Sequence, residues 1–192
     1  MGQKIKAFCK SNRFVLESFK EYRKFSTSSE KVFDLLFALL IALGLTIIPV
    51  LFFNVNIKQF INNFQTLNNI VITAISILAG FNVASIAVIA SSQSDVIREL
   101  KNKPSEKDPK TSKFSILVIF FTWAIVVQLI IVLIGILLYF ASQFFVPKTF
   151  KNDLTPYWLW TVFVMWLAGV LHSIFISIRN VKMLYLFIVK GV

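Results

Sequence analysis

The sequence predicts an all-α integral membrane protein, a four-helix transmembrane bundle with an amphipathic interfacial helix at its N-terminus. Three observations lead there. Apolar residues make up 57% of the 192, above the ~45–50% usual for soluble domains. Four apolar stretches, Val32 to Phe53, Ile70 to Ser92, Phe114 to Ala141 and Tyr157 to Ile178, each reach the ~20 residues that carry a helix across the hydrocarbon core. The basic residues are segregated between the connections. Strands of a soluble sheet would be shorter and punctuated by turn residues.

Residues 1–31 form the first segment. They hold Lys4, Lys6, Lys10, Arg13, Lys20, Arg23, Lys24 and Lys31, with Phe8, Val15, Phe19 and Tyr22 at approximate helical spacing. This pattern predicts a helix lying on the leaflet, its aromatic rings at the headgroup boundary and its cations on anionic lipid. A docking surface for another protein is the rival reading. Ser26 to Glu30 interrupt the helix, and Thr27 and Ser29 are both candidate N-caps for the next one.

The transmembrane domain spans residues 32–178, followed by a short tail, 179–192. Asn54 to Asn69 mixes six asparagines with apolar residues every three or four positions, which predicts a short separate helix at the outer interface. Between Asp95 and Lys113 the run Lys101 to Lys110 has high charge, two prolines and no apolar residue, so a solvated, mobile loop is expected. The third connection, Phe145 to Pro156, is short enough to make the last two spans antiparallel neighbours, with Tyr157, Trp158 and Trp160 at the membrane boundary. The third span, roughly 28 residues or about 42 Å as a helix, must tilt or project from a core of ~30 Å.

Of the 20 basic residues, all but Lys58, Lys148 and Lys151 fall in residues 1–31, the central loop or the tail. The positive-inside rule then puts both termini and the central loop in the cytoplasm of a cell membrane, and a composition rich in Lys, Asn, Ile and Phe suggests a bacterial inner membrane. The net charge of +11 is accounted for by this topology and by anionic lipid, so direct nucleic-acid contact is not expected. The first apolar run is long enough to stay as an uncleaved anchor. One Cys, Cys9, and one His, His172, give no intramolecular disulfide and no basis for a metal site.

Candidate functional residues lie inside the spans. Thr73, Ser76, Gly80, Ala84, Ala87 and Ser91 make a stripe of small side chains on the second span, where helix backbones can approach closely, either within one subunit or between subunits. Asn82 and Gln128 sit near the middle of the second and third spans. An unpaired amide there is costly, so they should pair with each other, with a hydroxyl such as Ser85, or with water. His172, near Gly169, Ser173 and Ser177, is read first as a polar fastener between helices and second as a proton-handling group. Asp34 is expected at headgroup level, paired with Lys31 or a basic tail residue in a surface-type ion pair worth ~0–1 kcal/mol.

Paired intramembrane carboxylates, a phosphate-cradling Gly loop and nucleophile motifs are all absent from the sequence, which points to a non-enzymatic protein without cofactor. The expected role is a membrane anchor or sensor subunit that forms homo-oligomers and recruits a cytosolic protein partner. The alternative is a channel or holin-like pore with Asn82, Gln128 and His172 lining water. In size, four spans and cytoplasmic termini the chain resembles the membrane subunit of the Kiwa anti-phage defence system. That resemblance is architectural, covers the whole chain and carries over no functional residue. It implies an oligomer holding a cytosolic DNA-binding partner in antiviral defence.

Overall fold

The computed structural model describes residues 13–144 and 154–190, with side chains to Leu186. Among these residues it contains six helices and no strand: α1 (Phe14–Phe25), α2 (Ser28–Phe52), α3 (Ile57–Ser91), α4 (Asp95–Asn102), α5 (Lys113–Gln143) and α6 (Tyr157–Lys190). Helices α2, α3, α5 and α6 are each long and apolar enough to cross a membrane.

Local chemistry fixes the helix starts. Thr27, not Ser29, caps α2 through a capping box: its hydroxyl accepts from the Glu30 N–H at 3.2 Å, and the Glu30 carboxylate accepts from the Thr27 N–H at 2.7 Å. Residues Val32–Phe37 of α2 are π-helical before the α-helix resumes at Ala38. Asn56 caps α3, accepting from the Gln59 N–H at 2.8 Å. The separate interfacial helix expected over 54–69 is instead the first part of α3, a single 35-residue helix. No Gly or Pro falls between Ile57 and Ala79, and Asn alone is too weak a breaker to end a helix that packing supports.

The central connection also differs from expectation. Ser94 caps α4, whose Ile97 and Leu100 are buried. The following loop folds back on itself, with Ser105 N–H on Thr111 O at 2.8 Å and Lys113 N–H on Lys103 O at 3.0 Å. It is also tied to α1. Lys107 Nζ donates to the carbonyls of Phe25 (2.8 Å) and Ser26 (3.1 Å), where a cation satisfies orphaned C=O groups of the helix end, and Lys24 pairs with Asp108 at 2.6 Å.

Helices α3, α5 and α6 pack on one another around Ile75, Trp123, Ala124, Val127, Ile131, Trp166 and Val170, and α1 adds Tyr22 and Phe25 to this core. Helix α2 lies against α6 and buries Asp34, Ala38, Ala42 and Thr46. These four-residue steps give α2 a narrow face of small residues below one acid, while its large side chains, among them Leu40, Ile47 and Leu51, point outward. Two glycines allow close approach. A Cβ at Gly135 would stand 2.9 Å from Asn68 Oδ1, and one at Gly169 would stand 2.7 Å from Ile131 Cδ1.

Candidate functional site

The end of the bundle that carries α1, α4 and the end of α6 holds most of the described Lys and Arg; we call it the basic end. There the Asp34 carboxylate accepts from Arg179 Nη1 and from the Tyr22 hydroxyl at 2.8 Å. The Arg179 guanidinium lies 4.9 Å from the ring centroid of Phe120 and 5.3 Å from that of Tyr22, within cation–π range. Asp34 is 1% exposed. Its expected partner class, a basic tail residue, is the one found, but the surface-type pair is corrected to a buried one, closed over by Tyr22 and flanked by aromatic rings.

His172 belongs to the same assembly. Its Nδ1 is 2.8 Å from the Asp34 carbonyl, and because a carbonyl can only accept, Nδ1 carries the proton. Asp34 lies inside the π-helical stretch, where the backbone ladder shifts register and carbonyls become available to a neighbouring helix. Ion pair, phenol and imidazole thus join α1, α2 and α6 at one point. Burial pushes the Tyr22 hydroxyl above its ordinary pKa, with Arg179 opposing the shift.

A second polar group lies in the middle of the bundle. Asn82 Nδ2 donates to Gln128 Oε1 at 3.0 Å and to Ser177 Oγ at 3.2 Å, Gln128 Nε2 donates to Ser177 Oγ at 2.6 Å, and Ser177 Oγ donates to Ser173 O at 3.0 Å. The hydroxyl that joins the amides is Ser177 of α6 and not Ser85. Asn82 and Gln128 are both 0% exposed. Further along α3, Asn68 Nδ2 donates to Gly135 O at 3.0 Å and Gln65 Nε2 to Ser142 Oγ at 2.9 Å, so polar rungs recur along the antiparallel α3–α5 contact.

The small-residue stripe faces outward. Thr73, Ser76, Gly80, Ala84, Ala87 and Ser91 are all exposed, and a Cβ at Gly80 would meet nothing within 4 Å. The inward face of α3 is instead Ile75, Ala79, Asn82, Ser85 and Ile89. Packing within the subunit is therefore not what the stripe does; the small-residue seam used internally is that of Ala38, Ala42 and Thr46 on α2, which the sequence reading did not single out.

On α1, Arg13, Lys20, Arg23 and Lys24 are exposed beside Phe14, Val15, Leu16 and Phe19. Tyr22, expected at the headgroup boundary, is instead inserted between Phe120 and Trp123, with ring centroids 5.9 and 5.4 Å away. Lys4, Lys6 and Lys10, together with Phe8 and Cys9, lie outside the described residues. The sequence does not single out Arg179 as the partner of Asp34 or Ser177 as the hydroxyl that joins Asn82 and Gln128. The available signal was depth: an acid and a base at the same end of their spans, and a hydroxyl about one turn from the centre of α6. Compared with protein-family models, curated proteins and solved structures, the chain matches none.

Proposed function

We propose that this chain is a non-enzymatic anchor or sensor subunit of a bacterial inner membrane, with both termini and the central loop cytoplasmic, which assembles with copies of itself and holds a cytosolic protein at the leaflet. The observation that carries the reading is the outward stripe from Thr73 to Ser91. In lipid, apolar burial does not drive association, and close backbone approach along small residues does. The segregation of Lys and Arg supports the orientation. The exposed apolar and basic residues of α1 suit an interfacial helix resting on anionic lipid. The architectural resemblance to the Kiwa membrane subunit fits the same role, with antiviral defence as its setting.

The competing pore reading needs Asn82 and Gln128 to line water, and their mutual hydrogen bonds and complete burial favour a fastening role within each subunit. Native mass measurement of the full chain in mild detergent tests the proposal. Several copies per particle, reduced to one by Gly80→Leu, are expected. A wild-type monomer, or dye leakage from vesicles holding the chain alone, would overturn it in favour of another role.

A further inference from the structure

At the basic end a crevice of about 370 Å³ opens between α1, α4, the central loop and the facing ends of α5 and α6. Its volume is in the range of small-molecule sites. Phe25, Leu100, Leu117, Met183 and Leu186 supply its floor, and Glu106, Lys107 and Lys113 stand at its rim. The apolar floor arises because α6 runs well past Ile178, so Met183 and Leu186 face the first turns of α5 instead of solvent. Lys107 is held by two backbone carbonyls. Lys113 is different: half-buried at the first position of α5, its ammonium has no hydrogen-bond or ion-pair partner among the described residues.

We propose that this crevice seats one anionic phospholipid, with part of an acyl chain on the Leu100–Leu117–Met183 floor and the phosphodiester on Lys113. Charge and depth together select the occupant. Lys113 opens a membrane-length helix, so its ammonium lies where headgroup phosphates lie, and basic pockets between transmembrane helices select anionic headgroups. Glu106 on the same rim repels a second negative charge, which favours a singly charged phosphodiester over a phosphate monoester. The inference rests on the membrane reading but on neither assembly nor a partner, so a failure of those leaves it standing.

The test uses the full chain in mild detergent, with retained lipid counted by native mass spectrometry. Phosphatidylglycerol, phosphatidylcholine of the same chains, oleate and inorganic phosphate are the probes. Phosphatidylglycerol should be retained over phosphatidylcholine, and Lys113→Gln should lower its retention about fivefold, the effect of one cation at a lipid surface, with Lys113→Arg restoring it. Met183→Trp, which fills the floor, should lower retention of both lipids. Equal retention of the two lipids by the wild type overturns the proposal, as does an unaffected Lys113→Gln protein. Oleate or phosphate binding as well as phosphatidylglycerol, or a second copy of the chain displacing lipid, also overturns it. Should Lys113→Gln not fold, the wild type decides: its preference for phosphatidylglycerol must shrink as salt rises, and a salt-independent preference counts against the ion pair.

Discussion

Asp34 and Arg179, 145 residues apart in the chain, form an ion pair in the interior where α2 meets α6, and Tyr22 of α1 donates a hydrogen bond to the same carboxylate. Removing one partner of a buried pair strands the other charge. Asp34→Leu or Arg179→Met alone should therefore cost about 3–5 kcal/mol, while the double replacement recovers much of that. Thermal unfolding in mild detergent is the measurement. A double variant as unstable as either single one would show that the pair is not what holds α2 to α6.

The two kinds of glycine separate folding from assembly. Gly135→Ala places a methyl group against Asn68 and Ile72, and overpacking of this sort costs about 1–3 kcal/mol. Gly80→Leu adds a side chain to an open outer face and should leave unfolding unchanged while reducing the number of copies per particle. A fall in melting temperature for Gly80→Leu, with copy number intact, would place the stripe inside the subunit after all.

His172 donates to a backbone carbonyl and has no carboxylate as direct partner among the described residues, so its hydrogen bond should matter more than its charge. His172→Gln keeps a donor of similar reach and is expected to preserve both melting temperature and phenotype. His172→Leu should lose about 0.6–2 kcal/mol, the scale of hydrogen bonds between membrane helices. Wild-type pH dependence of the phenotype that vanishes in His172→Gln would instead make protonation the working event.

Much of the fold was legible because membrane helices announce themselves by length. The four spans could be read from composition alone, and the amides Asn82 and Gln128 found each other because a polar group in hydrocarbon has few alternatives. What sequence could not give was rotation and lateral order. The stripe on α3 and the Ala38–Thr46 face of α2 look alike as patterns, and only packing decides which one is internal. Asp34 was placed at the surface because a charged residue one turn into a span ordinarily reaches water, and the burial comes from α1 folding over it, a contact no local pattern encodes. The charged loop was expected to be free because it has no apolar residues; Lys107 and Asp108 secure it by capping and pairing with α1.

Docking of α1 should depend on pH at the alkaline side. The Tyr22 hydroxyl has its pKa raised by burial, so the folded state holds this proton more tightly than the unfolded one. The resulting stability is fully present below the unfolded value of ~10 and is lost as pH rises through the higher folded value. The Lys24 ammonium, raised by its hydrogen bond to Asp108, acts in the same direction. Asp108 is lowered by that same hydrogen bond, and its contribution is present above ~4 and lost as pH falls through the folded value. Protease cleavage at Arg13 or Lys20 should accelerate above pH ~10 in the wild type, and Tyr22→Phe should blunt that rise. Equal acceleration in Tyr22→Phe would remove the phenol from the account.

Orientation is the premise on which the anchor reading stands, and it can be tested without knowing any partner. Asn54, exposed between α2 and α3, and Lys110, exposed in the loop before α5, lie at opposite ends of the bundle. A reporter active only in the cytoplasm should work when inserted at Lys110 or fused after Val192 and fail at Asn54, because Lys and Arg near span ends are retained on the cytoplasmic side. Insertion at Asn54 is chosen over a site such as Asn63, which lies within α3 and would break the helix. Activity at Asn54 with silence at Lys110 would invert the protein in its membrane. The basic crevice and the exposed face of α1 would then meet the other leaflet, and the cytosolic partner would have to be sought at the opposite end of the bundle.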